Sequence, residues 1–407
     1  MKVGIDKLGL YIPLNYVDMK ELAIKREIDP DKFIIGIGQE KMSVPTIEHD
    51  IVALGANAAL QILSDDDREK IDQVIFATES SFDFSKSAAT HVHQLLNINP
   101  YAKSFEIKQA CYGGTAGLMA AVDYVRLNPE RKVLVVTADI ARYGLNTPGE
   151  STQGAGAIAM LISSDPNILA IEPYSISYTE NQYDFWRPSY SKNAIVDGKF
   201  STELYNHSFE KVMTRLEKIN PEEYSQLKSI VFHLPFSKMG KKALNHYKEL
   251  ETRYIKQQDK DLVVKNWEKF YPDTTILSRT VGNIYTGSVY LSLISLLIFA
   301  ESLNSGDKIG LFSYGSGSVS ELLLGTIQPK YLETLKKEKI IGHFSRRQKI
   351  TVDEYEEIFN QMLPEESGTH QIVSLPIEPG FYLKEINNHK RSYAYYPHNL
   401  ENEKIRY

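Results

Sequence analysis

The feature that most constrains the fold of this chain is an internal repeat. The first half carries an apolar run, QVIFAT (73–78), then helical sequence, then ACYGGTAGLMAAVDYVRLNPERKVLVVTAD (110–139). The second half carries SIVFHL (229–234), helical sequence, then VGNIYTGSVYLSLISLLIFAESLNSGDKIGLFSYGSG (281–317). In each, a turn holding glycine and threonine leads into an apolar helix and a buried strand. This pattern sets Cys111 opposite Asn283, and Glu79 at one leading strand end opposite His233 at the other. Two such halves packed about a pseudo-twofold bring corresponding loop ends together. Glu79, Cys111, His233 and Asn283 are therefore expected to meet in one site.

Apolar runs rich in β-branched residues at 73–78, 132–138, 157–163, 229–234 and 308–314 predict buried strands. Helical spacing between them, as in Leu118, Ala121, Val122 and Val125, predicts helices covering the sheets, which makes an α/β protein. The predicted division is an N-terminal half over 1–165, an inserted loop or cap over 166–225, a C-terminal half over 226–395 and a polar tail over 396–407. FYLKEINNHKRSYAYY (381–396) reads as a hairpin with Asn387-Asn388 at its turn.

Charge and cysteine usage narrow the function classes. A net charge of −6 argues against general affinity for nucleic acid. The single cysteine excludes an internal disulfide or a cysteine-built metal site. His91 and His93 face apart on a helix and make no metal site. SVYLSLISLLIFA (288–300) is too short to span a bilayer, and MKVGIDKLGLYIP reads as a first strand, not a signal peptide. A soluble cytoplasmic protein with no membrane partner is expected.

Cys111 is the candidate nucleophile. Gly113 and Gly114 are expected to leave its approach open, and the following helix N-terminus to lower its pKa. His233 leaves a strand where an imidazole can polarise a carbonyl or move a proton. Glu79, in a partly apolar cleft, is a candidate general base, and Asn283 a candidate amide donor. FSYGSGS (312–318), with Gly315 and Ser316, offers backbone N–H groups for an oxyanion. Lys238, Lys241 and Lys242 form a basic patch suited to the phosphates of an acyl carrier such as coenzyme A.

Together ACYGGT, FATES, FHLPFSKMGKKAL, VGNIYTGS and SYGSGS resemble the 3-hydroxy-3-methylglutaryl-CoA (HMG-CoA) synthase family, bacterial type, of the thiolase superfamily. The resemblance runs from about residue 1 to 395. It implies a thiolase-like five-layer αβαβα fold from two duplicated halves, and a homodimer. It also implies condensation of acetyl-CoA with acetoacetyl-CoA through an acetyl-Cys111 intermediate, with Glu79 as base and His233 protonating the ketone oxygen. Asn283 and Ser316 would contact the acyl chain and oxyanion, Tyr143 and Thr152 would line the pocket, and Lys238 and Lys242 would hold coenzyme A. Ser201 and Tyr205, in FSTELY, match the family's substrate loop. Coenzyme A thioesters are the implied substrates, with no separate cofactor and no metal. A thiolase would need a second cysteine, which is missing. A ketoacyl-ACP synthase III-like enzyme would not need Glu79. An HMG synthase acting on acyl-carrier protein in polyketide β-branching shares the same catalytic residues.

Overall fold

The computed structural model describes residues 1–191, 193–373 and 378–397. Residues 398–407, most of the predicted tail, lie outside them. The elements that build the site are, in chain order, β1 (Val3–Tyr11), α1 (Ile51–Leu60), β2 (Ile71–Ala77), β3 (Lys103–Ile107), α2 (Gly113–Leu127), β4 (Lys132–Ala141) and β5 (Gly154–Ser164). They continue with β6 (Leu169–Thr179), α3 (Gly198–Ile219), β7 (Leu227–Phe232), α4 (Met239–Glu249), α5 (Gln257–Thr275), α6 (Ser288–Phe299), β8 (Lys308–Gly315) and β9 (Val319–Ile327). A hairpin of β10 (Gly380–Asn387) and β11 (Lys390–Tyr396) closes the described chain.

The strands run β7-β8-β9-β6-β1-β5-β4-β2-β3. The N-terminal set, β1-β5-β4-β2-β3, and the C-terminal set, β6-β9-β8-β7, share one logic. Two antiparallel pairings lead to a parallel one, β4 with β2 in the first set and β8 with β7 in the second. The sets join where β1 pairs with β6 at Gly4–Ala170 and Ile5–Leu169.

Side-chain alternation decides the layering. Ile75, Val133, Val135 and Ile158 face inward with Val231, Ile309, Leu311 and Leu323 onto α2 and α6, in one shared core. Their neighbours Val74, Phe76, Leu134 and Val136 face outward onto α1. Ile230, Phe232, Phe312 and Leu322 face outward onto α3 and α4. The result is five layers, helix, sheet, helix, sheet, helix, with strands covered on both faces and therefore apolar at nearly every position. α6 is buried from Ser288 to Ile298 for the same reason. Each fully buried Val, Leu or Ile contributes roughly 1.5–3 kcal/mol.

Three expectations change. Residues 166–225 are not an irregular insertion: β6 is a central strand and α3 a core helix, and among the described residues only 180–191 and 193–197 form a loop over the cavity. The hairpin turns at Asn388-His389, both left-handed (φ 46° and 66°), a residue later than predicted. The repeat is in place but its alignment shifts. Val74 pairs with Leu134 and Ile230 with Gly310, and superposing these pairs sets His233 over Ala77, not over Glu79. Likewise Ala110 (φ 44°) and Tyr285 (φ 42°) take the same left-handed turn immediately before Cys111 and Thr286. Thr286, not Asn283, is thus the counterpart of Cys111. Thr115 and Tyr290, mates in the same alignment, touch each other through their hydroxyls at 2.9 Å.

Candidate active site

Cys111, His233, Asn283, Ser316, Tyr143, Thr152, Ser201 and Tyr205 all line one cavity of about 740 Å³ between the halves. Glu79 lies behind Cys111, whose thiol donates to Glu79 Oε1 at 2.8 Å. Cys111 itself is 8% exposed, beside Ala141, Tyr143, Phe185 and Tyr285.

Glu79 is held through its backbone by Asp139, a buried acid at the end of β4. Asp139 Oδ1 accepts from Glu79 N (2.7 Å), Ser80 N (3.1 Å) and the Thr78 and Ser80 hydroxyls (2.9 Å each). Its Oδ2 accepts from Thr286 N and Oγ1 in the other half. Burial pushes the Asp139 carboxyl up to about 6 although these bonds oppose the rise. Burial first, then the charge of Asp139, pushes Glu79 up to about 8. Burial and the Glu79 carboxylate drive the Cys111 thiol well above its ordinary value. The thiolate-favouring helix terminus expected from sequence is therefore overridden: desolvation wins, and the thiol stays protonated beside Glu79.

The glycines also differ from expectation. Gly113 and Gly114 are buried, and a Cβ on Gly114 would lie 2.4 Å from the Thr286 carbonyl oxygen. Gly114 thus lets the two repeat turns pack, and neither buried glycine opens an approach. A Cβ on Gly315 would meet Tyr112 Cβ at 2.6 Å, so Gly315 admits the Cys111 turn against the end of β8 and lies behind the cavity wall. Gly317 N donates to Asp184 Oδ1 (3.0 Å) and Ser318 N to Glu180 O (2.7 Å), so these two N–H groups of the 312–318 loop are engaged by the 180–184 segment.

His233 N donates to Phe312 O at 2.8 Å, and Tyr205 OH donates to His233 O at 2.6 Å. Burial lowers its pKa to about 3, so the ring is neutral, and Nδ1 is buried without a hydrogen-bond partner among the described residues. Asn283 Oδ1 accepts from Tyr285 N (2.9 Å) and Ser288 Oγ (2.8 Å), leaving Nδ2 towards Tyr143 OH at 3.5 Å. Thr152 Oγ1 donates to Gly149 O and Ser201 Oγ to Asp184 Oδ2. Lys238 and Lys242 do not line the cavity. They adjoin residues that do: Lys238 N is bonded to Ile37 O, and Lys242 Nζ lies 5.0 Å from the Phe236 ring centre.

Sequence reasoning missed Asp139, Asp184, Thr286 and Tyr285. Asp139 had a readable signal, an acid inside the otherwise apolar VLVVTADIA. Asp184, which accepts from Tyr314 OH at 2.8 Å, had none.

A buried thiol bonded to a carboxylate, a neutral imidazole across the same cavity and a duplicated five-layer fold define a thiolase-like enzyme of acyl transfer and condensation. Residues 1–167 match the family described as hydroxymethylglutaryl-coenzyme A synthase N terminal, and residues 169–265 and 245–396 its C-terminal counterpart. The hydroxymethylglutaryl-CoA synthase of Enterococcus faecalis is 46% identical over 97% of this chain and 100% of its own length. A polyketide biosynthesis 3-hydroxy-3-methylglutaryl-ACP synthase of Bacillus subtilis is 29% identical over 97% and 99%. A crystal structure of HMG-CoA synthase complexed with CoA superposes with a TM-score of 0.91 at 40% identity, covering 97% of this chain and 100% of that one. The chain belongs to the hydroxymethylglutaryl-CoA synthase family.

Proposed function

We propose that Cys111, Glu79 and His233 carry out the condensation of acetyl-CoA with acetoacetyl-CoA and water to HMG-CoA and CoA. The hydrogen bond from the Cys111 thiol to Glu79 carries this reading. Glu79 accepts the thiol proton as sulfur attacks the acetyl carbonyl, forming the Cys111 thioester and releasing CoA. The departing CoA sulfur carries that proton away, so Glu79 is ionised again and takes a proton from the acetyl methyl group. The resulting carbon attacks the ketone of acetoacetyl-CoA. The neutral His233 ring hydrogen-bonds the ketone oxygen as it gains charge, and the alkoxide takes up one proton for the one lost from the methyl group. Water cleaves the thioester, freeing HMG-CoA and the thiol.

Asn283 Nδ2 and Tyr143 are the proposed donors beside the acyl group, with Ser316, Thr152 and Ser201 lining its pocket. Lys238 and Lys242 would meet CoA phosphates. The steps call on side chains and two thioesters alone, so no cofactor or metal enters this reading. Greater identity to the CoA-named relative (46%) than to the ACP-named one (29%) favours CoA substrates. On this reading the enzyme would act at the entry to the mevalonate route to isoprenoids. No helix among the described residues is long and apolar enough to cross a membrane; a cytoplasmic location is part of this proposal. The edge strand β3, with Phe105 37% exposed, supports a homodimer paired through the sheet, testable by sedimentation.

Mass spectrometry after acetyl-CoA alone tests the chemistry. One acetyl group on the Cys111 peptide, discharged by acetoacetyl-CoA, is expected. Acetylation elsewhere with Cys111 unmodified would sink the mechanism.

A further inference from the structure

The proposed base sits among acids. Asp139 binds its backbone N–H, Asp184 is buried in the adjoining loop, and the Cys111 thiol and the phenols of Tyr143 and Tyr285 complete its surroundings. A buried carboxylate in such company is disfavoured both by desolvation and by like charge. Among the described residues Arg187 is a cation close to this carboxylate, and its Nη2 donates to the Glu79 backbone carbonyl oxygen at 2.6 Å.

Arg187 belongs to the 180–197 loop, and its immediate neighbours are firmly tied. Asp184 accepts from Tyr314 OH, Gly317 N and Ser201 Oγ. The Phe185 ring packs against Tyr143 and Tyr285 at 5.9 and 6.0 Å between centres. From this anchored base the guanidinium crosses to the N-terminal half and closes on the turn that carries Glu79. The Arg187 side chain is itself exposed, so it is not a core packing group; its evident contribution is one charge-assisted bond and one positive charge.

We propose that Arg187 is a positioning residue for Glu79: it holds the Glu79 turn and supplies the positive charge that favours the carboxylate form during carbon–carbon bond formation. The inference rests on the functional reading above. It concerns the condensation step, because that is where Glu79 must be ionised with no thiol proton left to bind it. The lysine variant keeps the charge and a donor. The glutamine variant keeps a donor without the charge.

The test loads Cys111 with labelled acetyl groups from acetyl-CoA, then adds acetoacetyl-CoA across the neutral to alkaline range and follows HMG-CoA formation. In Arg187→Gln the pH at half-maximal condensation rate should rise by about half a unit to one unit, a loss of roughly three- to tenfold below that pH. Arg187→Lys should restore most of it, and high salt should move the wild-type profile the same way by screening an exposed charge. If both variants lose rate by one factor at every pH, or neither changes, the inference is overturned while the acetyl-Cys111 chemistry stands. A wild-type enzyme that never carries acetyl on Cys111 overturns the functional reading and this inference with it.

Discussion

The Cys111 thiol donates a 2.8 Å hydrogen bond to Glu79 Oε1, across a separation in sequence that spans β3 and the start of the repeat turn. Glu79 makes the thiol harder to ionise, whereas the thiol's hydrogen bond favours the Glu79 carboxylate; burial and Asp139 outweigh that bond, so both groups lie above their ordinary values. On the proposed mechanism this bond lets one carboxyl serve both stages of the reaction, first taking the thiol proton and later a proton of the acetyl methyl group.

Cys111→Ser removes the polarisable thiolate and leaves a hydroxyl in the same buried place. Incubation with acetyl-CoA should give no stable acetyl adduct at position 111 by mass spectrometry, and overall activity should fall to background.

Glu79→Ala should still become acetylated at Cys111, though more slowly, and then fail to condense, with that step lowered by about 10²–10⁴-fold. Rapid-quench measurement of each half-reaction separates the two. In the wild type the condensation rate should climb with pH towards about 8, where Glu79 ionises.

Glu79 also predicts a stability effect of defined sign. Its folded-state pKa is raised from 4.5 to about 8, so its contribution is fully present below pH 4.5 and lost as pH rises through about 8. Glu79→Gln, which has no charge to desolvate, should melt a few degrees above wild type at alkaline pH and lose that advantage on acidification. Equal melting temperatures at all pH values would contradict the burial of this carboxyl.

Burial lowers the His233 pKa to about 3, so its proposed role is that of a neutral donor. His233→Ala should lower condensation by roughly 10²–10³-fold with little change in acetylation. The wild-type profile should show no histidine limb between about pH 5 and 8.

Away from the site, Asn57 latches the C-terminal hairpin to α1: its Nδ2 donates to Phe381 O at 3.1 Å and its Oδ1 accepts from Phe381 N at 2.7 Å. Asn57→Ala leaves both buried backbone groups unpaired and should cost about 1–3 kcal/mol, read as a lower melting temperature with acetylation of Cys111 intact.

The legible parts of this protein were those written in local pattern. Apolar runs such as KVLVVTA and SIVFHL became strands because both sheet faces are covered, and α6 is buried as its uniform apolarity required. The repeat was visible for the same reason, since each half must solve the same layering problem. Its detailed alignment was not, because Asn283 and His233 resemble catalytic mates in type, while superposing the two ladders sets Ala77 against His233 and matching left-handed turns set Cys111 against Thr286. Residues 166–225 misled because a polar composition hid an amphipathic helix whose buried face, Leu204, Phe209, Val212 and Met213, is spread over many turns.

By itself the sequence determined the α/β layering, the duplication and the one thiol available for covalent chemistry, because periodicity and residue type are properties of neighbours along the chain. Only the tertiary structure decided that this thiol is protonated and bonded to Glu79, that Gly114 serves packing and not access, and that Arg187 reaches the base from the other half. Desolvation, like-charge repulsion and close backbone approach depend on groups far apart in sequence, and they set ionisation against the local helix-terminus effect that sequence alone would favour.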